Sequence, residues 1–197
     1  MANEKLTELV FILDRSGSME GLEADTVGGY NSVLKENRGL PGEAVVSTVL
    51  FNQRPRVMHD RVPIDKVPNM ALKDFRPSGC TALLDAVGGA IRYHETIRKA
   101  LPEELRAGKV LFVIVTDGYE NASRRYTYPQ VKRMIEQKRE LGWKFMFLAA
   151  GIDVAAEAGR LGVDADYAMP YSATPEGTFE AYDTIRAMSA SVRGGFA

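Results

Sequence analysis

The sequence predicts an α/β fold: a doubly wound, Rossmann-like, mostly parallel six-stranded sheet with one antiparallel edge strand and helices on both faces. Three observations predict it. Short apolar runs alternate with helical patterns along almost the whole chain, which is the signature of a sheet built from crossover units. Residues 110–115 read Val-Leu-Phe-Val-Ile-Val, and an unbroken apolar run is what a strand covered on both faces shows. A single tight connection, residues 52–55, separates two strand patterns. A hairpin there puts one antiparallel strand at the sheet edge.

The elements follow in order. Residues 6–13 form a strand with its core at 9–13, interrupted by Thr7 and Glu8 and closed by Asp14. The polar, glycine-bearing stretch 14–21 is a loop. A helix follows over 22–36, on a stripe of Val27, Tyr30, Asn31, Val33 and Leu34. Gly28 and Gly29 weaken it, and close approach to the sheet would explain them. Residues 43–51 are a second strand and 53–63 a third. Pro63 and Pro68 suit an edge or a loop, because neither donates to a central ladder. Residues 66–75 carry no clear period. A loop at 77–79 leads into a long helix over 81–100, with Thr81 as its cap.

The fourth strand is 109–116, the clearest element in the chain. A helix over 129–141 starts with Pro129 in its first turn. Then come a strand at 143–150, a short helix at 153–161 and a short strand at 165–169. The closing helix, 174–191, carries Phe179, Tyr182, Ile185 and Met188 on one stripe. The last residues, around 194–197, are expected to fray.

Composition narrows the function classes. The chain has 197 residues, 45% hydrophobic and 26% charged, with formal net charge -1. That length supports one core rather than two, so residues 1–197 are expected to form a single domain. The charge balance gives no signature of a nucleic-acid or anionic-membrane binder. No apolar run approaches a membrane span, and no secretory leader pattern opens the chain. The sole cysteine, Cys80, makes no intrachain disulfide and reads as a buried inert thiol. These features set a cytoplasmic location as the expectation.

Open α/β sheets bind ligands beyond the carboxyl ends of their strands, where connections depart in opposite directions. Three segments should meet there: Asp14-Arg15-Ser16-Gly17-Ser18, Gly79-Cys80-Thr81 and Thr116-Asp117-Gly118. Asp14 and Asp117 bring carboxylates; Ser16, Ser18 and Thr81 bring hydroxyls. Such hard oxygen donors suit Mg²⁺, with Mn²⁺ or Ca²⁺ as alternatives. Two neighbouring carboxylates repel, so the arrangement calls for a cation or a raised pKa. Asp85, one turn into the long helix, is placed to orient Thr81 or nearby amides. Arg15 is expected to point outward. Glu120 and Asn121 read as a rim that meets a partner, and Tyr119, Tyr126, Tyr128, Arg124 and Arg125 as an aromatic and basic stretch beside it.

At these residues the chain resembles a von Willebrand factor A (VWA) domain with a metal-ion-dependent adhesion site, in particular the compact bacterial single-domain type. The family's Asp-x-Ser-x-Ser, distant Thr and strand-end Asp-Gly fall on Asp14, Ser16, Ser18, Thr81 and Asp117. The stretches FVIVTDGYEN and GCTALLD are also similar to the family. The resemblance implies that Ser16, Ser18 and Thr81 hold the metal directly, with Asp14 and Asp117 acting mainly through water. It implies that an Asp or Glu of a protein partner completes the shell. The expected function is thus metal-dependent recruitment of a partner. The alternatives are a scaffold with a structural metal and, further off, a metal-dependent hydrolase.

Catalysis is disfavoured by the residues themselves. The three loops carry no histidine or lysine to act as a base. An aspartyl-phosphate mechanism would want a second Asp two residues after Asp14, where Ser16 stands. No phosphate-binding glycine loop ending in Lys-Ser/Thr is present, and Gly28-Gly29 lacks dinucleotide-binding spacing. Oligomeric state is not legible.

Overall fold

The computed structural model describes residues 2–194. Its centre is a six-stranded sheet in the order β3-β2-β1-β4-β5-β6. The strands are β1 Asn3–Asp14, β2 Glu43–Phe51, β3 Arg56–Pro63, β4 Ala107–Thr116, β5 Lys144–Ala149 and β6 Ala168–Pro170. Only the β2–β3 pair is antiparallel. The helices are α1 Glu23–Gly39, α2 Leu83–Ala100, α3 Tyr128–Glu140, α4 Val154–Leu161 and α5 Pro175–Gly194. The fold class read from the sequence is the one found.

Alternation along the two central strands divides the core into layers. Val10, Ile12, Phe112 and Ile114 pack with buried residues of α2, α3 and α4 on one face. Leu9, Phe11, Leu13, Leu111, Val113 and Val115 pack with α1 and α5 on the other. All ten of these side chains are buried, which explains why residues 110–115 are apolar without a break. The chain winds outward from β1 in one direction and from β4 in the other. The switch point therefore lies beyond the paired ends of β1 and β4, where Leu13 faces Val115.

Several local expectations are corrected. The region 66–75 holds two isolated 3₁₀ turns, Ile64–Lys66 and Leu72–Asp74. Residues 165–167 are a 3₁₀ turn rather than strand, because the Asp164 carboxylate accepts from the Asp166 amide and bends the backbone. That leaves β6 three residues long. In α5 the apolar stripe is offset: Tyr182 and Ile185 are buried while Phe179 is exposed. Gly29 does mark a close approach, but to α5 and not to the sheet. A Cβ there would lie 2.4 Å from the Tyr182 ring. The expectation of fraying at the extreme carboxyl end falls, beyond Gly194, outside the described residues.

Glu8 is more than an interruption in β1. Its side chain is buried on the sheet face that α2 covers and accepts from His94 Nδ1 of α2 at 2.8 Å. It also pairs with Arg61 of β3, whose φ of 48° lies in the left-handed region. Burial works to raise the Glu8 pKa, but His94 and Arg61 outweigh it and hold the carboxyl below its ordinary value. Its stabilising contribution is therefore complete above the ordinary 4.5 and is lost as pH falls through the lowered native value.

Among the described residues no helix is long and apolar enough to cross a membrane.

Candidate metal centre

The three sequence-predicted segments do meet at the switch point. Asp14 is the last residue of β1 and is 1% exposed. A strand-end carboxylate at that depth needs donors, and it has two. Its Oδ1 accepts from the Ser16 amide at 2.7 Å, and its Oδ2 from Thr116 Oγ1 at 2.6 Å. The first bond curls residues 14–16 into a tight turn that starts the 3₁₀ turn Gly17–Met19. The loop is then tied to its neighbour by Gly17 N donating to Gly79 O at 3.0 Å and Ser78 N donating to Arg15 O at 2.9 Å.

Ser18 Oγ donates to Asp117 Oδ1 at 2.6 Å and lies 3.2 Å from Ser16 Oγ. A hydroxyl has one proton. Since Ser18 gives its proton to the carboxylate, Ser16 is the donor to Ser18. Both serines thus keep lone pairs for another electropositive neighbour.

Thr81 completes the group. A methyl built on Gly118 would meet Ser18 Oγ at 3.9 Å and Thr81 Oγ1 at 4.0 Å, so these two hydroxyls face the same small space. The Thr81 backbone is fixed on both sides: its amide donates to Asn121 Oδ1 at 2.8 Å, and its carbonyl accepts from the amides of Asn121 and Ala122. Its hydroxyl makes no hydrogen bond among the described residues, although Thr81 is 3% exposed.

The reason lies in how α2 begins. Thr81 does not cap the helix, contrary to expectation; α2 starts at Leu83 without a side-chain cap of its own. Its first amides are taken by the loop after β4. Leu84 N donates to Glu120 Oε2 and Asp85 N to Ser123 Oγ, both at 2.9 Å. In return the Asp85 carboxylate accepts from the amides of Arg124, Arg125 and Tyr126. This exchange frees the Thr81 hydroxyl from capping.

It also changes the roles read for the rim. Glu120 turns inward onto Leu84, Ala122 and Ser123, and Asn121 braces Thr81; both position the site rather than present themselves to a partner. Tyr126 packs over Gly88, and Tyr128 donates to Glu157 beneath the Arg160 guanidinium. Only Tyr119 of the three tyrosines is exposed. Arg15 is half-buried and does not simply point outward. Its Nη1 donates to the Arg76 carbonyl at 3.4 Å, and its Nε is buried without a partner. Cys80 is exposed, not buried. Thr116 and Tyr171 are the residues the sequence reading missed. Tyr171 is held far above its ordinary pKa by burial first, then by the charges of Asp117 and Asp14.

Burial dominates the electrostatics of the two carboxylates. Burial raises the Asp14 pKa above 3.8 against the opposing bonds from Thr116 and Ser16, and the Asp117 charge adds to the rise. Burial raises Asp117 likewise, against the bond from Ser18. Neither carboxylate forms an ion pair among the described residues. No three His, Cys, Asp or Glu side chains gather into a metal cluster among the described residues. The donor set here is two carboxylates and three hydroxyls, a composition suited to Mg²⁺. A bound divalent cation would be held by Asp14, Ser16, Ser18, Thr81 and Asp117 and would supply the charge that both aspartates want. Both histidines are committed elsewhere: His94 to Glu8, and His59 to Tyr30 and Thr48.

Both aspartates bind protons more tightly in the metal-free native state than in the unfolded chain. Their contribution to stability is complete below 3.8 and declines as pH rises through the raised values. A cation competes with those protons. The expected result is that added Mg²⁺ changes the melting temperature little near about pH 4 and progressively more toward about pH 7. Paired thermal melts in Mg²⁺ and in EDTA across that range check it; an increment independent of pH would contradict it.

No family model and no curated protein sequence matches the chain. Solved structures do match. A von Willebrand factor type A protein from Catenulispora acidiphila superposes with TM-score 0.65 at 18% identity, over 98% of this chain and 43% of that one. The vWF domain of the type V pili tip protein Mfa5 from Porphyromonas gingivalis gives 0.62 at 11% identity, over 98% and 97%. Proximal thread matrix protein 1 from the mussel byssus, with a zinc-occupied MIDAS motif, gives 0.62 at 15%, over 96% and 46%.

The chain has a VWA-type fold.

It spans less than half the length of the byssus and Catenulispora chains and nearly all of the pilus-tip domain. The matched structures include a byssus matrix protein and a pilus-tip domain. The expectation of a cytoplasmic location is overturned. The VWA-type structures matched here include a byssus matrix protein and a pilus-tip protein, whose settings are extracellular.

Proposed function

We propose that residues 1–197 act as a metal-dependent protein-binding module of the VWA type, with Mg²⁺ held by Asp14, Ser16, Ser18, Thr81 and Asp117. A carboxylate from a partner's Asp or Glu completes the coordination. One observation carries the reading: Asp14, buried at the end of β1, and Asp117, half-exposed just after β4, have no ion pair among the described residues and are linked through Ser16 and Ser18, whose hydroxyls lie beside that of Thr81, which makes no hydrogen bond among those residues.

The chain's own residues explain why such a site would recruit an acid. Hydroxyls are neutral donors, so a cation held largely by Ser16, Ser18 and Thr81 keeps much of its charge. Ser18 is exposed and Asp117 half-exposed, whereas Asp14 and Ser16 lie beneath them. The open side of the group therefore faces solvent beside Ser18 and Gly118, and an incoming carboxylate approaches there. The buried pair Thr116–Asp14 fixes the floor, so the donors are preorganised before a ligand arrives.

Capture of partners from native extract on immobilised chain tests this. In Mg²⁺ the wild type is expected to retain a partner that EDTA releases, and Thr81→Ala is expected to retain none. Retention that is indifferent to EDTA and to Thr81→Ala would show that the contacts lie elsewhere. A scaffold with a structural metal would instead lose folding stability in EDTA while keeping its partner.

A further inference from the structure

Beside the metal group, the same edge of the sheet carries a dense set of guanidiniums. Arg15 follows β1, Arg54 and Arg56 sit at the β2–β3 turn, Arg76 precedes Gly79, and Arg124 and Arg125 follow β4. Six arginines stand on this edge beside the acids Asp14, Asp85, Asp117 and Glu120.

The arginines frame a specific cavity. It measures about 520 Å³ and is lined by Gln53, Arg54, Cys80, Asn121, Ser123 and Arg124, with Asp85 at its wall. It adjoins the metal group directly: Cys80 precedes Thr81, and Asn121 holds the Thr81 amide. Asp85 sets one negative charge at its wall against the two arginines, which leaves the lining net positive by one charge. The Asp85 carboxylate is spent on the amides of Arg124, Arg125 and Tyr126, and Glu120 on those of Leu84, Ala122 and Ser123. The Arg54 and Arg124 side chains enter no hydrogen bond or ion pair among the described residues. Arg54 and Arg124 are exposed and line one polar cavity, and a guanidinium fork matches carboxylate geometry.

We infer that this cavity is a second anchor for the partner, which engages the module through an acidic segment: one carboxylate at the metal group and another between Arg54 and Arg124. The inference rests on the metal-binding reading above and extends it to the partner's chemistry. An extended chain advances roughly 3.3–3.6 Å per residue. The adjacency of Cys80 and Thr81, with the reach of an arginine side chain, sets the two acids about two to four residues apart. Both anchors on one segment act together, so the second carboxylate multiplies affinity rather than adding to it.

The test uses the full chain and synthetic hexapeptides carrying either one Glu or two Glu separated by two, three or four positions, titrated by NMR in Mg²⁺. A two-Glu peptide of the right spacing is expected to bind about tenfold or more tighter than the one-Glu peptide. The double variant Arg54→Gln/Arg124→Gln is expected to abolish that gain and leave one-Glu binding unchanged. Equal affinity of the two peptide classes, or a gain that survives the double variant, would overturn the inference. Two-Glu binding that persists in EDTA yet vanishes in the double variant would support the arginine cavity and overturn the metal reading instead. Equal or tighter binding of a two-phosphoserine peptide or an oligonucleotide through the same arginines would overturn the assignment to carboxylates.

Discussion

Thr81→Ala is expected to lower the affinity for Mg²⁺ at the proposed site by about a hundredfold or more, the upper end of what even indirect partners of a metal contribute. Its effect on the metal-free chain is small, within about 0.5 kcal/mol. The asymmetry follows from the structure: the Thr81 hydroxyl makes no hydrogen bond among the described residues, while its amide and carbonyl are held by Asn121 and Ala122, which the substitution leaves in place. Asp14→Ala provides the contrast. It removes the acceptor of both Ser16 N and Thr116 Oγ1, and stranding buried donors costs about 1–3 kcal/mol before any metal is considered. Isothermal titration of Mg²⁺ into each variant, with urea melts in EDTA, separates the two. Parallel losses of stability and metal affinity in Thr81→Ala would mean that the hydroxyl has a structural partner.

The largest loss of stability is expected from Glu8→Ala, about 3–5 kcal/mol, as for other buried pairs broken from one side. Typical domain stabilities run to about 5–15 kcal/mol, so the variant would sit near the threshold of folding. Removing Glu8 leaves His94 Nδ1 and the Arg61 guanidinium facing each other over apolar residues of the sheet. Arg61 is in addition held at φ 48°, a conformation that its ion pair helps to stabilise. Urea denaturation above about pH 6 reads the full effect, because there the wild-type contribution of Glu8 is complete. A loss under about 1 kcal/mol would show that the trio is solvated in solution.

How far these features were legible in the sequence depends on whether their causes are local. Residues 110–115 announce β4 because burial on both faces demands apolar residues at every position, and one strand suffices to show it. That Asp14, Ser16, Ser18, Thr81 and Asp117 fall on loops at one sheet edge was legible for a related reason: each segment sits directly at a strand end or just before a helix, so sequence position nearly determines place. Glu8 was not, because period-two patterning can only report it as a break. Its partners Arg61 and His94 lie 53 and 86 residues away. The capping of α2 was misassigned to Thr81 for the same reason. Its amides are served by Glu120 and Ser123, over a separation of 36 and 38 residues. Thr116 had a local signal, a hydroxyl directly before the strand-end Asp117, and lies opposite Asp14 only because β1 and β4 pair in that register. Location was not legible in any residue: the cytoplasmic expectation is overturned by the byssus and pilus-tip proteins that share the fold.

Charge and position at the metal edge form one design. The buried Thr116–Asp14 pair sets the floor, Ser16 and Ser18 relay hydrogen bonds upward to Asp117, and the loop 120–126 takes over the capping of α2 so that Thr81 is left free. Each of these contacts would be unremarkable alone. Together they leave the Ser18 and Thr81 hydroxyls facing one small space, with Ser16 and Asp117 hydrogen-bonded to Ser18, and Asp14 beneath them.

Titration of Mn²⁺ into ¹⁵N-labelled chain locates a divalent cation, because the paramagnetic ion bleaches amide signals only close to where it sits. Saturable, one-to-one loss of the signals of Ser16, Ser18, Thr81 and Gly118 first is expected, restored by excess Mg²⁺ and absent in Thr81→Ala. Uniform weak broadening over the acidic surface, with those four signals no more affected than the rest, would contradict the proposed metal site.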